Sequence, residues 1–100
     1  MNTQENVNSY AARGDILSTN ATLFWGEVSP FLERILRGQT LELDLRASTM
    51  VDSVGLNAIV KVIKSADNKG AKVRLLISSE NLKRICAFTR LDQKAEIVGP

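Results

Sequence analysis

From Gly38 onward the hydrophobic periodicity of this chain switches repeatedly between two and about 3.6, which constrains its fold more than any other feature. Leu41, Leu43 and Leu45 alternate with Glu42 and Asp44, the pattern of a strand with one buried face. Leu56, Ile59, Val60 and Ile63 then fall on one helical stripe. They predict a helix from Ser53 to about Asn68, ended by Asn68-Lys69-Gly70. Val73-Arg74-Leu75-Leu76-Ile77 is almost continuously apolar, which predicts a strand covered on both faces. Ser78-Ser79-Glu80 reads as the cap of a third helix, Asn81 to about Thr89, with Leu82, Ile85, Cys86 and Phe88 apolar. Ala95 to Val98 is a short closing strand. Such alternation implies an α/β layer structure whose neighbouring strands run parallel, with crossover helices covering a small sheet.

Upstream the pattern is weaker. Residues 1–6 are polar and are expected to fray. Val7 to Ala12 alternates as a weak strand until Gly14-Asp15 interrupts it, and the cap-forming cluster Ser18-Thr19-Asn20 predicts a helix start near Asn20. Leu23, Phe24, Val28, Phe31, Leu32, Ile35 and Leu36 keep helical spacing across Pro30, which removes a hydrogen bond and crowds the preceding turn. The expectation is one helix, kinked or restarted at Pro30 and closed by Gly38 as its C-cap. Phe24 and Trp25 are read as packing residues. A chain of 100 residues can bury one core but not two, so residues 1–100 are read as a single domain.

Composition narrows the chemistry. There is no histidine, so there is no His-based triad, no imidazole acid–base pair and no histidine metal ligand. No Gly-rich phosphate loop or metal-ligand spacing is present, which argues against an enzyme and against a cofactor. Thirteen basic residues interleave with eleven acidic ones for a net charge of +2, too little to argue for nucleic acid. Cys86 is the only cysteine; its place in an apolar stripe reads as a buried small side chain, and its solitude as a reducing compartment. No apolar run approaches the ~20 residues of a membrane span, and the N-terminus lacks a signal-peptide pattern, so a cytoplasmic protein without membrane insertion is expected.

The stretch Val51-Asp52-Ser53-Val54-Gly55-Leu56 sits where the strand around Leu43 hands over to the second helix. Asp and Ser cap helix N-termini, so the Ser53 hydroxyl lies where that helix begins. A serine in that position, beside a glycine small enough to admit an approaching surface, suits reversible phosphorylation and suggests a switch. The plainer reading makes Ser53 an N-cap, Asp52 a local capping group and Gly55 a helix-packing residue.

The order strand, Asp-Ser-x-Gly-Leu, amphipathic helix, Gly-ended turn, apolar strand and short helix resembles the STAS domain family, in particular bacterial anti-sigma factor antagonists. The residues that carry it are Leu43-Asp44-Leu45, Val51 to Leu56, and Lys69-Gly70 before Val73 to Ile77. Gly14-Asp15 followed by Thr19-Asn20-Ala21 resembles the family's Gly-Glu-Leu-Asp turn. The resemblance implies a small STAS-like α/β domain, with a mixed sheet covered by helices, that is monomeric and non-catalytic. It makes Ser53 the phosphoacceptor of a GHKL-type serine kinase that is also an anti-sigma factor, with a PP2C-type phosphatase reversing the modification. The dephosphorylated form would bind that partner through Asp52, Ser53, Val54 and Gly55, with Thr49 and Met50 at the edge. A reading of another class is a non-catalytic STAS subunit of an ABC-type lipid-transport ATPase, where threonine often stands at the position of Ser53. The chain departs from the pattern in four ways: Leu17 replaces the turn's Asp, and Arg90 replaces the usual Gly after the third helix. Pro30 lies inside the first helix, and few residues precede that helix for the expected two strands.

Overall fold

Parallel strands cannot be joined by tight turns, so each must be followed by a crossover. The computed structural model describes residues 7–99, and the expectation of fraying at 1–6 lies outside them. Four strands, β1 (Val7–Ala11), β2 (Thr40–Asp44), β3 (Lys72–Leu76) and β4 (Glu96–Val98), pair in chain order. Three helices cross between them: α1 (Ala21–Arg34), α2 (Ser53–Asn68) and α3 (Glu80–Phe88), with a 3-10 turn at Leu91–Gln93 before β4. The α/β class and the helix-covered sheet are as expected. All three ladders are parallel, however, so among the described residues the sheet is not mixed.

A sequential parallel order with right-handed crossovers puts every helix on the same face of the sheet. The register separates the two faces. Tyr10, Leu43, Leu75 and Ile97 align across the strands, as do Leu41 and Val73, and this set meets the helices. Ser9, Glu42, Arg74 and Glu96 align in the alternate row. There Arg74 bridges Glu42 at 3.3 Å and Glu96 at 3.1 Å. The run Val73 to Ile77 is therefore covered on one face only, because three helices in one layer leave the opposite face open and Arg74 and Leu76 half-buried.

The helices close the core with Phe24, Val28 and Leu32 from α1, Ile59, Val62, Ile63 and Ala66 from α2, and Leu82 and Cys86 from α3. Burial raises the Cys86 thiol above its ordinary range, as expected of an inert packing residue. Tyr10 stacks edge-on against Phe24 and Phe31 and donates its hydroxyl hydrogen to Glu27. Lys61 sits 4.2 Å over the ring of Trp25 and so ties α2 to α1.

Helix ends and helix faces correct the sequence reading at several points. α1 runs unbroken through Pro30 and its C-cap is Ile35, not Gly38. Gly38 instead takes φ +86 in the following turn, where its N–H donates to the Gly70 carbonyl at 2.9 Å. The ammonium of Lys69 satisfies the last turn of α1, donating to the carbonyls of Leu32 (2.7 Å) and Glu33 (3.1 Å). Leu23, Leu36 and Phe88 are exposed although their spacing suggested burial. Leu36 lies beyond the helix end, and Leu23 and Phe88 point away from the narrow stripes that meet the sheet. Arg90 adopts φ 63, the left-handed conformation that explains why glycine suits this position.

Candidate functional site

The loops after β1, β2 and β3 all emerge at the carboxyl edge of the sheet, where open α/β folds place their binding residues. The β2–α2 loop, residues 45–52, lies between the other two and is fastened to both. On the β1 side, Asp15 Oδ1 accepts hydrogen bonds from the N–H groups of Thr49 (2.8 Å) and Met50 (3.1 Å) and from the Thr49 hydroxyl (3.3 Å). The hydroxyl of fully buried Ser48 donates to the Gly14 carbonyl, and Ile16 forms a parallel bridge with Val51. On the β3 side, Ser78 Oγ donates to the Arg46 carbonyl (2.7 Å) and Asn81 Nδ2 to the Thr49 carbonyl (3.0 Å). Ser79 caps α3 through the N–H groups of Asn81 and Leu82.

Asp52 ties α2 into this arrangement. One carboxylate oxygen accepts from the Gly55 N–H at 2.8 Å and caps the helix; the other accepts from the Ser18 N–H at 2.7 Å, across to the β1–α1 loop. These bonds, Gly55 first and Ser18 second, hold the Asp52 carboxyl below the ordinary carboxylate range. The Thr49 and Met50 N–H groups do the same for Asp15. The N-cap is thus Asp52, not Ser53.

Ser53 is the first helical residue and is exposed; among the described residues its hydroxyl makes no hydrogen bond. Thr49, Met50 and Val54 are exposed beside it, with Met50 at 55% and Val54 at 48%. Gly55 is placed differently from the others. It is buried, and a Cβ there would lie 1.9 Å from the Ile16 carbonyl oxygen, so the surface it admits is the chain's own β1–α1 loop. The sequence-predicted set therefore divides: Thr49, Met50, Ser53 and Val54 form an outward surface, Asp52 is its half-buried fastener, and Gly55 lies beneath. Asp15, Ser18, Ser48 and Asn81 complete the arrangement and were not read from the sequence. Asp15 was visible only as a turn residue, because its partners lie 34 and 35 positions away.

Such a surface has definite chemical capacities. None of the principal recesses is lined by Ser53, Met50 or Val54, so the hydroxyl stands on open surface rather than in a substrate pocket. Among the described residues no group of three or more Cys, Asp or Glu side chains comes together to hold a metal ion. A phosphate on Ser53 would add about −1.5 to −2 charges and three acceptor oxygens at the positive end of a 16-residue helix. The helix accommodates that charge, whereas the neighbouring Asp52 carboxylate and any apolar partner resting on Met50 and Val54 do not.

The STAS domain profile matches residues 1–98. A comparison with curated protein sequences finds no match. Among solved structures, a candidate anti-sigma factor antagonist from Thermotoga maritima superposes with a TM-score of 0.82 at 26% identity, covering 94% of this chain and 80% of that one. An anti-sigma factor antagonist from Mycobacterium paratuberculosis gives 0.80 at 16% identity, covering 97% and 80%. A sulfate transporter family protein from Wolinella succinogenes gives 0.74 at 18% identity, covering 93% and 76%. At their identities the last two establish shared fold alone. The sequence match across nearly the whole chain, the Asp-capped helix following β2 and the superposed folds together place this chain in the STAS domain family.

Proposed function

We propose that this chain is a phosphorylation-controlled anti-sigma factor antagonist, with Ser53 as the phosphoacceptor. The observation that carries the reading is the division of labour at the start of α2. Asp52 supplies the cap, so the Ser53 hydroxyl is exposed and, among the described residues, makes no hydrogen bond, beside exposed Met50 and Val54. In its dephosphorylated form the chain binds a GHKL-type serine kinase that is also an anti-sigma factor, through Thr49, Met50, Ser53 and Val54, with Asp52 holding the surface in shape. That partner supplies the nucleotide and the catalytic base, and this chain is not itself an enzyme. Phosphorylation places a dianion in a surface that must be desolvated on docking, and so abolishes the interface while leaving the fold intact. A PP2C-type phosphatase restores the binding form. Among the described residues no helix is long and apolar enough to cross a membrane.

The test is intact-mass analysis of the protein isolated from its native cells, wild type beside Ser53→Ala. One phosphate in the wild type, absent from Ser53→Ala, is the expected result. No phosphorylated form under any growth condition overturns the switch. It would favour the other reading, a non-catalytic subunit of an ABC-type lipid-transport ATPase. Ser53→Asp is expected to keep the wild-type unfolding midpoint and to lose binding to the kinase.

A further inference from the structure

Thr49 and Met50 stand exposed beside Ser53, yet their backbone is wholly committed within the chain. The Thr49 N–H donates to Asp15 Oδ1 at 2.8 Å, and the Met50 N–H donates to the same oxygen at 3.1 Å. The Thr49 hydroxyl donates to it as well, at 3.3 Å. From the other side the Asn81 side-chain amide donates to the Thr49 carbonyl at 3.0 Å. The Met50 carbonyl accepts from the Ile16 N–H at 3.4 Å. Thr49 is thus gripped between the β1–α1 loop and the start of α3, by residues 34 positions before it and 32 after it.

This grip limits what a docking partner can read. A paired backbone offers no free N–H or C=O for strand addition, which leaves the side chains. A loop already fixed in shape also loses little conformational freedom on docking. The side chain held outward is that of Met50, which is 55% exposed, unbranched and polarisable, and so able to serve as an apolar contact. Ser53 opens α2 three residues later, so the same grip sets where Met50 stands relative to the Ser53 hydroxyl. We propose that, for the phosphorylation of Ser53 put forward above, Asp15 and Asn81 are positioning residues: they hold Thr49 from opposite sides so that Met50 and the Ser53 hydroxyl meet the kinase in one fixed geometry. In that step the Ser53 oxygen bonds the γ-phosphorus of the partner's ATP, ADP departs and the hydroxyl proton passes to the partner's base. Asp15 acts as an acceptor rather than as a charge, since it meets two N–H groups and a hydroxyl. Asparagine keeps an acceptor oxygen of the same reach and can take its place; alanine cannot.

The test is the initial rate at which an extract of the native cells, from a strain lacking this chain, transfers phosphate from labelled ATP to the purified protein. Asp15→Ala is expected to slow labelling at least about tenfold, as misplacement of a reacting group does. Asn81→Ala is expected to slow it about threefold, the worth of one hydrogen bond. Asp15→Asn is expected to restore the rate to within about threefold of wild type. Melting temperatures of all three are expected to stay above the assay temperature, and amide shifts of isotope-labelled Asp15→Ala to centre on Thr49 and Met50. Wild-type labelling of Asp15→Ala overturns the positioning role and leaves the Ser53 switch standing. Asp15→Asn as slow as Asp15→Ala overturns it too, because the partner would then be reading the charge. No labelling of the wild type, or labelling that survives Ser53→Ala, overturns the reading of Ser53 and this proposal with it.

Discussion

Gly55→Ala tests how the α2 N-terminus is seated, because local and tertiary effects predict opposite signs. Alanine is the better helix former, by up to about 1 kcal/mol in a helix interior and less in the first turn. The added Cβ would stand 1.9 Å from the Ile16 oxygen, 2.7 Å from its carbonyl carbon and 3.1 Å from its Cγ2, where ordinary contact begins at 3.4 Å. The gap must therefore open by about 1.5 Å against backbone, not against the end of a flexible side chain. Ile16 cannot yield freely, since it bridges Val51 and follows Asp15, which is bonded to Thr49 and Met50. Overpacking of this kind costs about 1–3 kcal/mol, and a pinned backbone belongs near the upper end. After the helix gain, a net loss of about 2 kcal/mol is expected, or roughly 8–16 °C in melting temperature for a chain of this size. Urea unfolding followed by circular dichroism measures it. Gly26→Ala is the control: Gly26 lies exposed inside α1 with nothing within 4 Å of its would-be Cβ, so about 0.5–1 kcal/mol of stabilisation is expected. If Gly55→Ala is as stable as wild type, the loop does not clamp the helix as described.

Three further outcomes follow from the same structure. Arg90→Gly, at φ 63, is expected to raise stability by about 1 kcal/mol, read as a later urea midpoint with unchanged slope. Asp15 and Asp52 are held below the ordinary carboxylate range, so the unfolded chain binds more protons in acid; their contribution is complete above about pH 4–5 and is lost as pH falls through the folded values. Unfolding midpoints measured from pH 7 down to about pH 3 are expected to fall less steeply for Asp15→Ala/Asp52→Ala than for wild type. Tyr10 behaves oppositely at the alkaline end: desolvation first, then the bond to Glu27, pushes its hydroxyl up from 10.0 to about 12. The unfolded chain therefore loses that proton first, stability falls as pH rises through that interval, and Tyr10→Phe is expected to reduce the slope.

The elements of this chain are legible in its sequence because each is encoded by neighbours: the alternating leucines of β2, the stripe of α2 ending at Asn68, and the Ser79 cap of α3. Likewise Asp52-Ser53 marks a helix start from local chemistry alone, and Arg90 stands out as a misfit before its backbone angle is known. Tertiary structure decided what depends on distant partners. Which of Asp52 and Ser53 caps the helix was settled by the reach of the carboxylate to both Gly55 and Ser18, and that choice leaves the serine exposed. Whether Gly55 admits a partner or the chain's own loop was settled by Ile16, 39 positions earlier in the sequence. The one-sided cover of β3 came from the direction of successive crossovers, which no pattern within Val73 to Ile77 records. Periodicity states which residues want burial; only the packed layers decide which of them, Phe88 among the excluded, find a surface to be buried against.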